Sequence, residues 1–272
     1  EMKMIQQNLL DLLDYEKDVE EKYQNLINIF DDIKIHDDQY KIKSMMYLLL
    51  HISKNHHREE GFFSKIEQIL KYFKDDLQKY FSNSELFHIF ESSKRILLFL
   101  IEEKIIIFDE FITKQIIKDK YLDSKYPEYF QPEIQPFLTD KWFPKYDENR
   151  EEEEEEYDND NAKKNKWVFE IQKEISSDFY DKRKIGENDE FICRLIQKDL
   201  IEEFITYVNK NDYSLRSTIN ISKYETNSFL LKNKRTTLIE YASFFGSTQI
   251  FKYLYKNGVE LTPSLWLYGI HS

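Results

Sequence analysis

The sequence predicts an all-α fold, an elongated helical array. Three observations predict it. Apolar residues recur at helical spacing through most of the chain, and the first 120 residues contain no proline. Glycine and proline number five each in 272 residues, too few for the many tight turns of an all-β protein. The length suits one or two domains and is sufficient to bury a sizeable core.

The elements follow in chain order. Tyr23, Leu26, Ile27 and Phe30 fall at i, i+3, i+4 and i+7, and so do Ile42, Met45, Met46 and Leu49. Ile66, Ile69, Leu70 and Phe73 repeat the spacing, extended by Leu77. Each set forms one apolar stripe on one helix face. Ser64-x-x-Glu67 and Ser82-x-x-Glu85 match the capping box, in which hydroxyl and carboxylate each satisfy an orphan N–H. The front region therefore reads as about five to seven helices of roughly 10–18 residues joined by short polar turns. Leu86 and Phe90, a polar turn at Ser92-Ser93, then Ile96, Leu97, Phe99 and Leu100 describe a helix pair there.

Pro127, Pro132, Pro136 and Pro144 cluster with Tyr126, Tyr129, Phe130, Phe137, Trp142 and Phe143. Proline cannot continue a helix, so this part should break into single turns. Its aromatics should pack on the helices. Next comes the acidic run. Ten acids and one base, Arg150, lie between Asp147 and Asp160, including Glu151 to Glu156. That stretch carries −9 of the net −12, so the rest of the chain is close to neutral. Consecutive glutamates repel one another and bury nothing, which predicts a solvated loop. The expected division is a helical region at 1–146, an acidic loop at 147–165 and a second helical region at 166–272.

Helical spacing resumes at Trp167. Ile192, Leu195 and Ile196 form one short stripe, and Leu200, Phe204, Ile205 and Val208 the next, joined by Lys198-Asp199. A polar link from Asn209 to Ser217 and a less regular region to Lys234 follow.

Residues 236–262 read TTLIEYASFFGSTQIFKYLYKNGVELT. This segment resembles an ankyrin repeat, with Thr237, Ile239, Ala242, Gly246, Ile250, Leu254 and Gly258 in register. The physical chemistry suits these types. Ala242 is small where two helices cross. Gly246 permits a left-handed turn, and Gly258 a left-handed helix end. Ile239, Ile250 and Leu254 should face a shared core. The segment departs from the repeat at Leu238, where proline is usual, and at Glu240, where histidine is usual. The usual histidine ties down the loop, so the loop here should be held differently.

Four strings add a second resemblance: KRILLFLIEEK (94–104), KRKIGEND (182–189), ETNSFLLK (225–232) and VELTPSLWLY (259–268). They are similar to an expanded ankyrin-repeat family of trichomonad protists, which carries a helical region of unassigned function ahead of its repeats. The resemblance implies intracellular, ankyrin-type protein binding and carries no catalytic residues. Pro263, Leu265 and Trp266 would begin another repeat, so the C-terminal edge is expected to be unfinished. Glu1 ahead of Met2 hints at a fragmentary start.

Chemistry-bearing candidates are few. The lone Cys193 excludes a disulfide framework or a CxxC site and reads as a buried small apolar residue. His56-His57 beside Glu59-Glu60 reads as a solvated turn, because adjacent helical residues do not share a face. His51 and His88 read as partly buried packing residues. Lys182-Arg183-Lys184 reads as a solvated, ion-paired helix end, with nuclear targeting or an acidic partner the alternative. No phosphate-loop, nucleophile-elbow or HExxH motif occurs. No catalytic, cofactor or metal residues are assigned. The longest apolar stretches, Met45–Leu50 and Ile96–Ile101, are far short of the ~18–20 residues of a membrane span. With one cysteine and no leader, the expected compartment is reducing: cytoplasm, or nucleus.

The function predicted is a non-enzymatic protein–protein interaction module binding a protein partner on the concave helix and turn face. Neither nucleic acid nor membrane is an expected partner, and no cofactor is expected. Glu240, Phe244, Phe245 and Glu260 are the predicted contact residues, with packing of Phe244 and Phe245 on the neighbouring repeat or the front helices as the alternative, and Phe244→Ala or Phe245→Ala is expected to weaken binding more than stability. The alternatives are an acidic-tract binder of basic proteins and an enzyme with an unrecognised site.

Overall fold

The computed structural model describes residues 2–14, 17–55, 61–118, 125–138, 174–233 and 235–270. Among these residues the chain forms seventeen α-helices, two 3-10 turns and no strand, so the fold is all-α. The acidic stretch 147–165, Trp142, Phe143, Trp167 and His56-His57 lie outside the described residues.

Eight helices build the front region: α1 (Met2–Asp14), α2 (Val19–Asp32), α3 (Gln39–Asn55), α4 (Phe62–Tyr72), α5 (Lys74–Tyr80), α6 (Asn83–Phe90), α7 (Lys94–Glu102) and α8 (Glu110–Lys118). That exceeds the five to seven expected, and several are shorter than ten residues. The stripe from Ile66 to Leu77 is buried throughout, but the helix breaks at Phe73 into α4 and α5. The Ser82–Glu85 capping box forms: the Ser82 N–H donates to the Glu85 carboxylate at 2.8 Å, and the Glu85 N–H to the Ser82 hydroxyl. The Ser64–Glu67 box does not. Gly61, in the left-handed region at φ 73°, starts α4 earlier. Ser64 therefore lies inside the first turn and donates its hydroxyl to the Gly61 carbonyl at 2.6 Å.

The proline segment behaves as its composition dictates. It forms two four-residue helices, α9 (Tyr126–Tyr129) and α10 (Gln131–Ile134), then a 3-10 turn at Gln135–Phe137, each with proline in its first turn. Tyr126, Tyr129 and Phe130 are buried in the front core, which runs from Ile5 to Ile134.

The second core runs from Ile192 to Tyr268. It contains α12 (Phe191–Gln197), α13 (Ile201–Lys210), α14 (Ser228–Lys232), α15 (Leu238–Phe244), α16 (Thr248–Lys256) and α17 (Leu265–Gly269). Helix α11 (Phe179–Ile185) lies between the cores. They meet across a polar seam. On α11, Arg183 is buried and places Nη1 2.8 and 2.9 Å from the Glu133 carboxylate oxygens. Lys94 is buried at the start of α7, donates to the Glu225 carbonyl at 3.2 Å and lies over the rings of Tyr126 and Tyr129. The Thr226 N–H donates to the Gly186 carbonyl at 3.0 Å. Gly186 must stay small here, since a Cβ would come within 2.9 Å of the Thr226 hydroxyl and its φ is +73°.

Candidate functional site

The C-terminal helix pairs hold the residues that the sequence singles out. Within each pair the closure is the same. After α12, Asp199 is left-handed at φ 50°, and the Leu200 N–H reaches back to the Leu195 carbonyl at 3.0 Å. After α15, Gly246 is left-handed at φ 62°, and the Ser247 N–H reaches the Ala242 carbonyl at 2.9 Å. This six-to-one bond closes a helix whose last carbonyls lack partners. The second helices also end alike. Asp212 and Gly258 are left-handed, and Tyr213 and Val259 donate to Val208 and Leu254. In the front region Lys104 and Ile105 close α7 in the same way.

The two C-terminal pairs stack, α12 on α15 and α13 on α16. Polar bonds register the stack. The Asp199 carboxylate accepts the Gln249 and Ile250 N–H groups, both at 3.0 Å, and so caps α16 from the preceding pair. The Gln197 amide donates to the Tyr241 hydroxyl at 2.9 Å. Ile239, Ala242, Ile250 and Leu254 are fully buried.

Thr237 caps α15 in a capping box with Glu240. The Glu240 carboxylate accepts the Thr237 N–H at 2.9 Å and the hydroxyls of Thr237, Thr262 and Ser264 at 2.8, 2.6 and 2.8 Å. Glu240 thus ties down the following loop at Thr262 and Ser264. Burial works to raise its pKa, but these bonds outweigh it and hold the carboxyl below its usual range.

Two predicted contact residues need correction. Glu240 is only 4% exposed, with its oxygens committed to its own loop. Phe244 is 0% exposed and stacks on Phe229 with ring centroids 6.0 Å apart. It is a core side chain, which reverses the expectation that Phe244→Ala would chiefly affect binding. Phe245 is half-buried and leans on the rings of Tyr241 and Phe244. Glu260 is exposed. On α17 the helix buries Tyr268, while Trp266 and Ile270, four residues apart, are 66% and 69% exposed.

Other chemistry-bearing groups are placed as follows. Cys193 is fully buried, and burial pushes its thiol well above the ordinary range, so it is no nucleophile. His51 and His88 are both exposed rather than packed inside; His88 lies 2.9 Å from Glu91 and edge-on to Phe111. Lys182 pairs with Asp178 and Asp189 at 2.8 and 2.9 Å, and Arg183 with Glu133, so only Lys184 of the basic cluster is exposed. The chain pattern did not reveal a third cluster. His36 Nδ1 lies 2.6 Å from Asp76, and Nε2 lies 2.7 Å from the Tyr72 hydroxyl. Both ring nitrogens are engaged, so the imidazole joins the turn after α2 to α4 and α5. Among the described residues no group of three or more His, Cys, Asp or Glu side chains could hold a metal ion, and no helix is long and apolar enough to cross a membrane.

No protein-family model, curated protein or solved structure matches the chain.

Proposed function

We propose that the chain is a non-enzymatic protein-interaction module of ankyrin-like design, and that it binds a protein partner on the surface of its C-terminal helix pairs. One observation carries the reading: two helix pairs stacked first helix on first and second on second, with left-handed closures in matching places. Such a stack is a rigid support whose surface side chains lose little freedom on binding. Phe245 and Glu260 are the accessible members of the predicted contact set, and Trp266 on α17 and Ile270 at its end add exposed apolar area. Aromatic anchors of this kind dominate binding energy in many interfaces.

The test is affinity capture from source-cell lysate with three proteins: the intact chain, a chain lacking Glu151 to Glu156, and a Phe245→Ala/Glu260→Lys variant. The reading expects the same partner with the first two and its loss with the third. Loss on deleting the glutamates, with retention in the surface variant, assigns binding to the acidic run instead.

A further inference from the structure

The two cores are separate apolar clusters, one from Ile5 to Ile134 and the other from Ile192 to Tyr268. The seam between them is bridged by polar bonds: Lys94 to the Glu225 carbonyl at 3.2 Å, Arg183 to the Glu133 carboxylate, and a weak bond from Arg95 to the Ile185 carbonyl. A joint that relies on polar bonds is sensitive to any charge enclosed within it.

Glu225 sits in that joint with little support for a charge. It is buried, and its carboxylate accepts the Asn227 N–H at 2.7 Å. No ion pair to this carboxylate forms among the described residues. Other enclosed carboxylates are better supplied. The half-buried Glu133 holds both oxygens against Arg183, and the buried Glu240 accepts one N–H and three hydroxyls. The titratable groups facing Glu225 are Lys94 on α7, Glu187 after α11, Cys193 on α12 and Tyr241 on α15. Burial acts most strongly and favours the neutral acid, as does Glu187; the Asn227 and Thr226 N–H groups and Lys94 oppose them. The balance lifts the pKa from 4.5 to about 7. Burial also pushes the Cys193 thiol and the Tyr241 phenol upward, so both stay neutral beside it.

We propose that Glu225 is a proton-operated latch between the two cores: the neutral acid stays enclosed with the seam closed, and its ionisation opens the seam so that water reaches the carboxylate. The seam is therefore closed at mildly acidic pH and loosens as pH rises through neutrality. The latch is separate from the partner-binding surface, because Phe245, Glu260, Trp266 and Ile270 take no part in it.

The test is amide hydrogen exchange of the full chain by NMR at pH 5 and pH 8, each rate divided by the intrinsic rate at that pH. The seam reporters are the Thr226 N–H, held by the Gly186 carbonyl, and the Asn227 N–H, held by Glu225. The core reporters are the Leu200 and Ser247 N–H groups, held by the Leu195 and Ala242 carbonyls. From pH 5 to pH 8 seam protection should fall about 70-fold, the factor for a carboxyl whose pKa is 4.5 in water and about 7 in the seam. At pH 8 the seam should also exchange faster than the core. Glu225→Gln, an uncharged mimic of the protonated side chain, should keep its pH 5 protection at pH 8. Wild-type seam protection that is the same at both pH values overturns the proposal, whether or not the variant folds. Equal protection of seam and core at pH 8 overturns it too, because global unfolding would then be the only opening. So does an equal fall in Glu225→Gln.

Discussion

Glu225→Gln isolates one carboxyl with a clear physical burden. Glu225 is buried in the seam, and its carboxylate accepts the Asn227 N–H at 2.7 Å. The groups acting with it are Lys94 on α7, Glu187 after α11, Cys193 on α12 and Tyr241 on α15. Burial, first, and then Glu187 push its pKa from 4.5 up to about 7, against smaller opposition from the Asn227 N–H and Lys94. The native state therefore holds the proton more tightly than the unfolded chain, and this group's contribution to stability falls as pH rises from about 4.5 to 7 and is flat above. Between pH 5 and pH 8 that amounts to about 2–3 kcal/mol. Glutamine has no such titration. Urea unfolding of both proteins at pH 5 and pH 8 should show the variant gaining about 2–3 kcal/mol on wild type between the two values, whatever its offset at pH 5. An unchanged difference between the pH values would refute the reasoning.

Three further outcomes follow from the C-terminal pairs and their front counterpart. Glu240→Gln should show the opposite pH sign: the wild-type carboxyl is held below its usual range, so its contribution is present at neutral pH and is lost as pH falls through the native pKa. Acid unfolding should thus spare the variant relative to wild type. Phe244→Ala should cost about 3–5 kcal/mol in denaturant unfolding, because the ring is wholly buried; a cost below 1 kcal/mol would place it at the surface. Lys104→Gly should stabilise by about 0.5–1 kcal/mol, since Lys104 is exposed and left-handed at φ 58°, as read by the thermal midpoint.

Local patterns were legible in the sequence, and contacts between distant segments were not. The stripe Ile42, Met45, Met46 and Leu49 is buried because a 3.6-residue period has one solution once a helix forms. Pro127, Pro132 and Pro136 gave only single turns. Gly246 and Gly258 marked left-handed closures, yet Asp199, Asp212 and Lys104 adopt them without glycine, and no residue type announced those. The Ser64 box failed because Gly61 offered an earlier start. At the site, periodicity could not say which of Phe244 and Phe245 points inward. That depended on Phe229, fifteen residues earlier in the chain, arriving beside Phe244. Likewise the bonds of Lys94 to the Glu225 segment and of His36 to Asp76 join residues 131 and 40 positions apart, beyond the reach of any local pattern.

The C-terminal helix pairs, rather than the acidic run, are proposed to bind a protein partner. The most direct test is the dissociation constant of the captured partner for wild type, the Glu151 to Glu156 deletion and Phe245→Ala/Glu260→Lys, each with its thermal midpoint. Equal affinity for the first two, with at least tenfold weaker binding by the third at an unchanged midpoint, is the predicted result. Affinity lost with the glutamates and unaffected by the surface substitutions would contradict it.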